Sequence, residues 1–386
     1  MRGYEEAIRR EVAKITQEMV RMSTVNDNEK TLAQWIKGKL DEYHIPGSID
    51  PIIGNRANVI GKMEGMGERK ALLLNGHLDT VPPGDLGWTV DPFSGVLKDG
   101  KVFGRGTTDM KGGLAAMLVA MKMVKENGLK LKGDLIFAGT AGEETDSIGA
   151  HQFVDEGGLD GVGEIIIGEP SACCVNIAEK GALWIEVTTI GKLAHGAFPD
   201  QGINAIDHMH RLLAHIYQLD LDHGEHGILG KPTMNVATIH GGDKTNTVPE
   251  KCVVTMDIRT IPGMEHENIT GRIQSILEEL SREIEDFQGE LKITNDRPPV
   301  STREEDEFVQ LALQVNRDLF GRASVPGGVN FYTDASVFLP HREIPCILYG
   351  PGDSAMAHQI NEYVEVESLY EAVRFYYEMI RRVLVD

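Results

Sequence analysis

Short apolar runs of strand length recur along this chain, and several of them lead directly into residues able to hold a metal ion. Residues 71–74 run into Asn75-Gly76-His77-Leu78-Asp79, and residues 134–138 into Gly142-Glu143-Glu144. Residues 164–167 run into Gly168-Glu169-Pro170, and residues 345–349, after a Gly350-Pro351-Gly352 turn, lead to Ala357-His358. Open α/β sheets gather their sites at such strand ends. A chain built this way is expected to fold around a sheet whose edge carries the chemistry.

A strand alternates faces, so His77 and Asp79 point to one side if the strand persists through both. A histidine that binds metal through one ring nitrogen commonly gives its other N–H to a carboxylate, and Asp79 stands where that partner is needed. Asp109 follows the glycine-punctuated Gly104-Arg105-Gly106 loop and precedes a helix expected over 110–125, with Leu114, Met117, Leu118, Met121 and Val124 on one face. An ordinary capping aspartate would occupy the same place. Glu143 and Glu144 are adjacent, so their side chains project in different directions, and in a metal site one can bind while the other moves a proton. Taken singly, each feature has an everyday alternative: a surface His-x-Asp pair, solvated glutamates, a surface or capping histidine. Together, two histidines and three carboxylates suit two zinc ions. If Asp109 bridges, each ion receives three protein ligands and keeps an open position for water. Three carboxylates and a hydroxide also offset two divalent charges, as a buried cluster requires.

In this order and with these neighbours, the segments resemble the M20 family of metallopeptidases and deacylases over nearly the whole chain. The resemblance implies that His77, Asp109 and Glu169 bind one zinc and that Asp109, Glu144 and His358 bind the other, with cobalt or manganese as substitutes. It implies that Asp79 orients His77 and that Glu143 is the general base. The segment Gly191-Lys192-Leu193-Ala194-His195-Gly196-Ala197-Phe198-Pro199 matches a lid motif of the family, whose histidine, here His195, enters the partner's active site and polarises the substrate carbonyl. Asn246 and Arg259 match lid positions that bind the substrate carboxylate, a task suited to the planar fork of an arginine. The loop 327–335 is similar to the family's substrate-pocket segment.

At 386 residues the chain exceeds what one core usually holds, so two domains are expected. Helices and strands alternate up to Glu179. The order then becomes a strand at 183–188, a helix at 204–217, strands at 233–239 and 251–259, a helix at 265–285 and a strand at 290–294, a βαββαβ pattern. The expected fold is therefore α/β: a mixed-sheet, zinc-peptidase-like catalytic domain (1–179 and 297–386) with an inserted ferredoxin-like α+β domain (180–296). In the resembled family the insert is a lid that also forms the dimer interface, which implies a homodimer, with hinges near 179–181 and 297–299.

The reaction expected on this reading is hydrolysis of the amide of an N-acyl amino acid by a metal-activated water, with a carboxypeptidase or dipeptidase as the alternative. An arginine-rich stretch associated with succinyl-diaminopimelate recognition is absent; Ala178-Glu179-Lys180-Gly181-Ala182 occupies its place. A phosphatase or nuclease would want more cations than Arg105 and Lys111. A non-catalytic binding protein of the same fold would be expected to lack the base or a ligand, and this chain lacks neither. The net charge of −21 opposes nucleic acid or an anionic membrane as partner. The 41% hydrophobic and 25% charged content is that of an ordinary globular protein, with no apolar run of about twenty residues and a charged start. Four cysteines in no framework complete the expectation of a cytoplasmic enzyme.

Overall fold

The computed structural model describes residues 2–85, 87–221, 224–322, 325–340 and 342–385. The chain divides into two compact units, one of residues 1–178, 301–328 and 333–386, the other of residues 179–300 and 329–332.

At the centre of the first unit, Leu135–Thr140, Ala71–His77, Val162–Ile167 and Cys346–Leu348 lie side by side and parallel. These runs are apolar because helices cover both faces of such a sheet; Ala71–His77 is buried at every residue. Gly47–Pro51 and Ala57–Met63 extend the sheet antiparallel on one side, and Asn176–Glu179 and Val300–Ser301 extend it on the other. The helix Gly112–Glu126 connects two of the parallel strands and is buried nearly all round, packed against Arg2–Val20 and Val366–Leu384. That placement explains why its sequence is apolar on every face rather than along one stripe. All four parallel strands end at the same edge of the sheet, so Asp79, Glu143-Glu144, Glu169 and His358 all follow from one rim.

The helix begins later than the periodicity suggests. Asp109 (φ −120°, ψ 97°) and Met110 (φ −131°, ψ 33°) are both non-helical, the helix proper starts at Gly112, and Lys111 takes the capping position in place of Asp109. Hydrophobic spacing reads straight through this break because Met110 is buried whether or not it is helical.

In the second unit the sheet order is Thr233–Gly241, Lys251–Thr260, Gly181–Ile190, Gln288–Arg297, with every neighbour antiparallel. With helices Ala205–Ile216 and His266–Glu283 this is a βαββαβ arrangement. Lys251–Thr260 alternates strictly, burying Cys252, Val254, Met256 and Ile258 and leaving Asp257 and Arg259 on the other face. Ala205–Ile216 packs on this strand and on Gly181–Ile190. Among the described residues no helix is long and apolar enough to cross a membrane.

Candidate metal centre

His77 ends its strand with the ring buried. Its Nε2 lies 2.9 Å from Asp109 Oδ1 and 3.5 Å from Glu169 Oε1. The second oxygen of Asp109, Oδ2, lies 3.2 Å from His358 Nε2, which is itself 2.9 Å from Glu144 Oε1. The structure therefore gathers two groups, His77-Asp109-Glu169 and Asp109-Glu144-His358, joined through one carboxylate. Two glycines shape the surrounding loops. Gly106 (φ 85°) opens the turn into Asp109 where a Cβ would meet Thr80, and Gly142 (φ 82°) opens the turn into Glu143 where a Cβ would meet Arg56.

Asp79 makes different contacts from those its spacing suggests. His77 Nδ1 lies 3.0 Å from the Asp79 backbone carbonyl, closer than the 3.5 Å to the Asp79 carboxylate. The carboxylate also accepts the backbone N–H groups of Gly142, Glu143 and Glu144 at 2.8, 3.1 and 3.0 Å. Asp79 thus orients the turn that presents both glutamates, as well as standing beside the ring. Burial opposes its ionisation, but the hydrogen bond and charge of His77 outweigh burial and hold the carboxyl below its usual range.

Electrostatics divide the carboxylates. Burial pushes Glu143 and Glu169 well above the ordinary glutamate range, only partly relieved by His77 and helped by repulsion from Glu144 and Asp334, with Glu169 adding to it for Glu143 and Asp109 for Glu169. Burial also raises Glu144, with Asp109 repelling it. Asp109 goes the other way: burial raises it, but its bonds to His358 and His77 win. His358 is raised to about 10 by its hydrogen bonds to Asp109 and Glu144. This is a cluster with a surplus of acid around two imidazoles, buried at His77 and Glu169 and open at His358, and its donor set fits two divalent cations sharing Asp109, which would offset that surplus. Glu143 is buried beside this set but belongs to neither group.

In the second unit, His195 lies in a short strand paired with Thr247–Val248, and Gly196 N–H donates to the carbonyl of Asn246 at 2.8 Å. The fold so brings His195 and Asn246 together. His195 Nδ1 accepts from Ala197 N–H at 3.0 Å, which leaves Nε2 as the proton-bearing nitrogen of the neutral ring. Arg259 lies at the far end of Lys251–Thr260 from this hairpin, roughly 25 Å away at the rise of a strand. Its guanidinium pairs with Asp257, Nε and Nη2 both donating to Oδ2, at 3.3 and 3.1 Å.

Two buried carboxylates near the first groups carry no motif of their own. Asp334, within the 327–335 loop, accepts from Thr140 Oγ1 at 2.5 Å. Glu362, four residues after His358, is fully buried against the loop that carries Asp109. Arg105 and Lys111 are both buried, the one bonded to Glu362 and the other to the carbonyl of Met22. Neither is disposed to clamp a phosphate, which removes the main support for phosphoryl chemistry.

The profile of peptidase family M20/M25/M40 matches residues 73–382, a span that contains both groups and the βαββαβ unit. The chain belongs to this peptidase family. A probable succinyl-diaminopimelate desuccinylase of Staphylococcus epidermidis is 31% identical to it over 396 residues, 95% of this chain and 96% of that one. Among solved structures, aminopeptidase PepT from Bacillus cereus has a TM-score of 0.80 at 21% identity, covering 97% of this chain and 98% of that one. A dinuclear metal-binding M20 peptidase from Bacillus subtilis has a TM-score of 0.75 at 16% identity, over 98% and 99% of the two chains. These structures share the mixed α/β fold. Family and donor set together make the chain a metal-dependent hydrolase.

Proposed function

We propose that this M20 hydrolase cleaves the amide bond of an N-acyl amino acid, using two divalent metal ions, zinc foremost. The observation that carries the reading is the pair of donor groups sharing Asp109, with the buried carboxyl of Glu143 beside them and outside both. His77, Asp109 and Glu169 would hold one ion, and Asp109, Glu144 and His358 the other. When bound, such ions supply Lewis acidity toward a water and a carbonyl oxygen.

The remaining work falls to the chain's own groups. Glu143 takes a proton from the attacking water and returns it to the departing nitrogen; burial lifts its affinity for a proton out of the ordinary carboxylate range, as this double role needs. Asp79 holds the Glu143-Glu144 turn through three backbone N–H groups. Nε2–H of His195 donates to the carbonyl oxygen as charge develops on it. Because His195 and Asn246 sit at the opposite end of a strand from Arg259, one substrate cannot span them within a single second unit. That separation supports a two-fold dimer in which His195 of the partner subunit reaches the site and the second unit acts as lid and interface. Arg259, released from Asp257, would fork onto the substrate carboxylate.

The desuccinylase name borne by the Staphylococcus epidermidis relative supports a deacylase. A dipeptidase or carboxypeptidase would use the same groups. Amine release from N-acetyl, N-succinyl and dipeptide substrates separates the two: turnover confined to N-acyl amino acids supports the proposal. Turnover confined to dipeptides overturns the substrate assignment and leaves the chemistry.

A further inference from the structure

Glu362 is fully buried, and its carboxylate is saturated by donors from one loop. Oε1 accepts the backbone N–H groups of Thr108 (2.8 Å) and Asp109 (3.1 Å). Oε2 accepts the N–H of Gly106 (3.1 Å) and Nη1 of Arg105 (2.5 Å). Arg105, also buried, turns its guanidinium toward the far segment of chain, with its Nη2 donating to the carbonyl of His358 at 3.2 Å and its Nη1 to that of Gln359 at 3.4 Å. Stitches of other kinds run alongside. Thr108 Oγ1 donates to the carbonyl of Tyr363 at 2.6 Å, Gly104 N–H donates to that of Glu362 at 2.9 Å, and Tyr363–Glu365 pairs with Lys101–Phe103.

Two segments some 250 positions apart are thereby joined at the place where each delivers a residue to the same donor group. The backbone around both residues is out of the ordinary. Asp109 and Met110 break the turn that leads into the helix, and His358 has φ 62°, a left-handed conformation that residues with a Cβ seldom adopt. A buried charge is tolerated only when paired and fully bonded, and here every bond Glu362 accepts comes from Arg105 or from the three N–H groups leading into Asp109. Such a carboxylate acts as a mould for the loop backbone, setting the direction in which the Asp109 side chain leaves it.

We propose that Glu362 and Arg105 form a positioning clamp that holds the Asp109 and His358 backbones in register, so that the shared donor group is shaped before an ion enters it. The clamp rests on the reading of Asp109 and His358 as metal-holding residues. Groups of this kind, one step behind the ligands, commonly change metal affinity by about 10–100-fold when altered.

The test uses full-length protein freed of metal and titrated calorimetrically with zinc, and with cobalt followed by its visible absorption. E362Q keeps the shape of the side chain but turns an NH2 donor toward donors. R105K keeps the charge beside Glu362 but lacks the fork that reaches His358 and Gln359 together. The expected result is two ions per chain in the unaltered protein. In both variants one ion should be weakened by about 10–100-fold with a changed cobalt spectrum, and KM should be little altered once metal saturates. A clamp that merely supported the fold would lower Tm and leave affinity and spectrum as they are, and that result in both variants overturns the proposal. Should E362Q fail to fold by circular dichroism, R105K decides by the same criterion. Absence of ion binding in the unaltered protein overturns the metal reading itself, and the clamp with it.

Discussion

Asp109 and Glu143 face opposite demands beside the charge of the same imidazole, that of His77. Asp109 must stay ionised to serve two donor groups, and its bonds to His77 and His358 keep it so. Glu143 must exchange a proton, and burial without a direct cationic partner lifts it toward that role. Replacing Glu143 by Ala or Gln should therefore leave the metal content intact while turnover falls by about 10²–10⁴-fold, the usual worth of a general base. Elemental analysis beside an amine-release assay checks both halves, and undiminished turnover would remove Glu143 from the reaction. At this scale, His77, Glu144 and Glu169 were legible because each closely follows a strand-length apolar run, Asp109 because it follows a glycine-punctuated loop, and His358 because it follows a strand and a glycine-proline turn. Glu362, Arg105 and the actual bonds of Asp79 were not. A carboxylate in a loop carries no periodic signal, and the N–H groups it accepts are chosen by tertiary packing rather than by spacing.

Elements set the site through where they end. The parallel strands were readable from their apolar runs and the βαββαβ order from the shift to alternating strands after Glu179, whereas the break at Asp109–Met110 was hidden inside a continuous apolar pattern. The helix that follows, Gly112–Glu126, is central to the packing of the first unit. Leu118→Ala, a truncation at a fully buried position, should cost about 2–5 kcal/mol in denaturant unfolding without changing the number of ions bound. A loss under 1 kcal/mol would show that the helix is less tightly packed than described.

The start of the helix Lys30–Glu42 offers a pH test. Burial raises the carboxyl of Glu29 from 4.5 to about 7, although Arg56 Nη2 lies 3.4 Å from it. A carboxyl that binds its proton more tightly when folded penalises the native state when ionised. That penalty is fully present above pH 7 and fades as pH falls toward 4.5. Glu29→Gln should therefore gain stability relative to the unaltered chain as pH rises from 4.5 through 7, by up to about 3 kcal/mol at 1.36 kcal/mol per pKa unit. Parallel stability curves for the two proteins across that range would contradict it.

At the scale of the whole molecule, the separation of His195 and Asn246 from Arg259 matters most, because the proposed two-fold dimer rests on it. Co-expressing H195A with E143A tests this. Each alone should be nearly inactive. Statistical pairing in a two-fold dimer then gives mixed dimers with one intact site, and roughly a quarter of full turnover should return. No recovery, with mixed dimers present, would mean that His195 serves its own subunit or none. The second unit begins at Glu179, near the change of pattern in the sequence, and also takes in residues 329–332, a stretch too short to carry a pattern of its own.

The central claim is that two ions, sharing Asp109, drive amide hydrolysis. The most direct measurement is amine release from an N-acyl amino acid during stepwise return of zinc to chelated protein. The expected result is no turnover in the chelated sample, with activity climbing to a plateau at two ions per chain. Full turnover in the chelated sample, or a plateau reached with one ion, would contradict it.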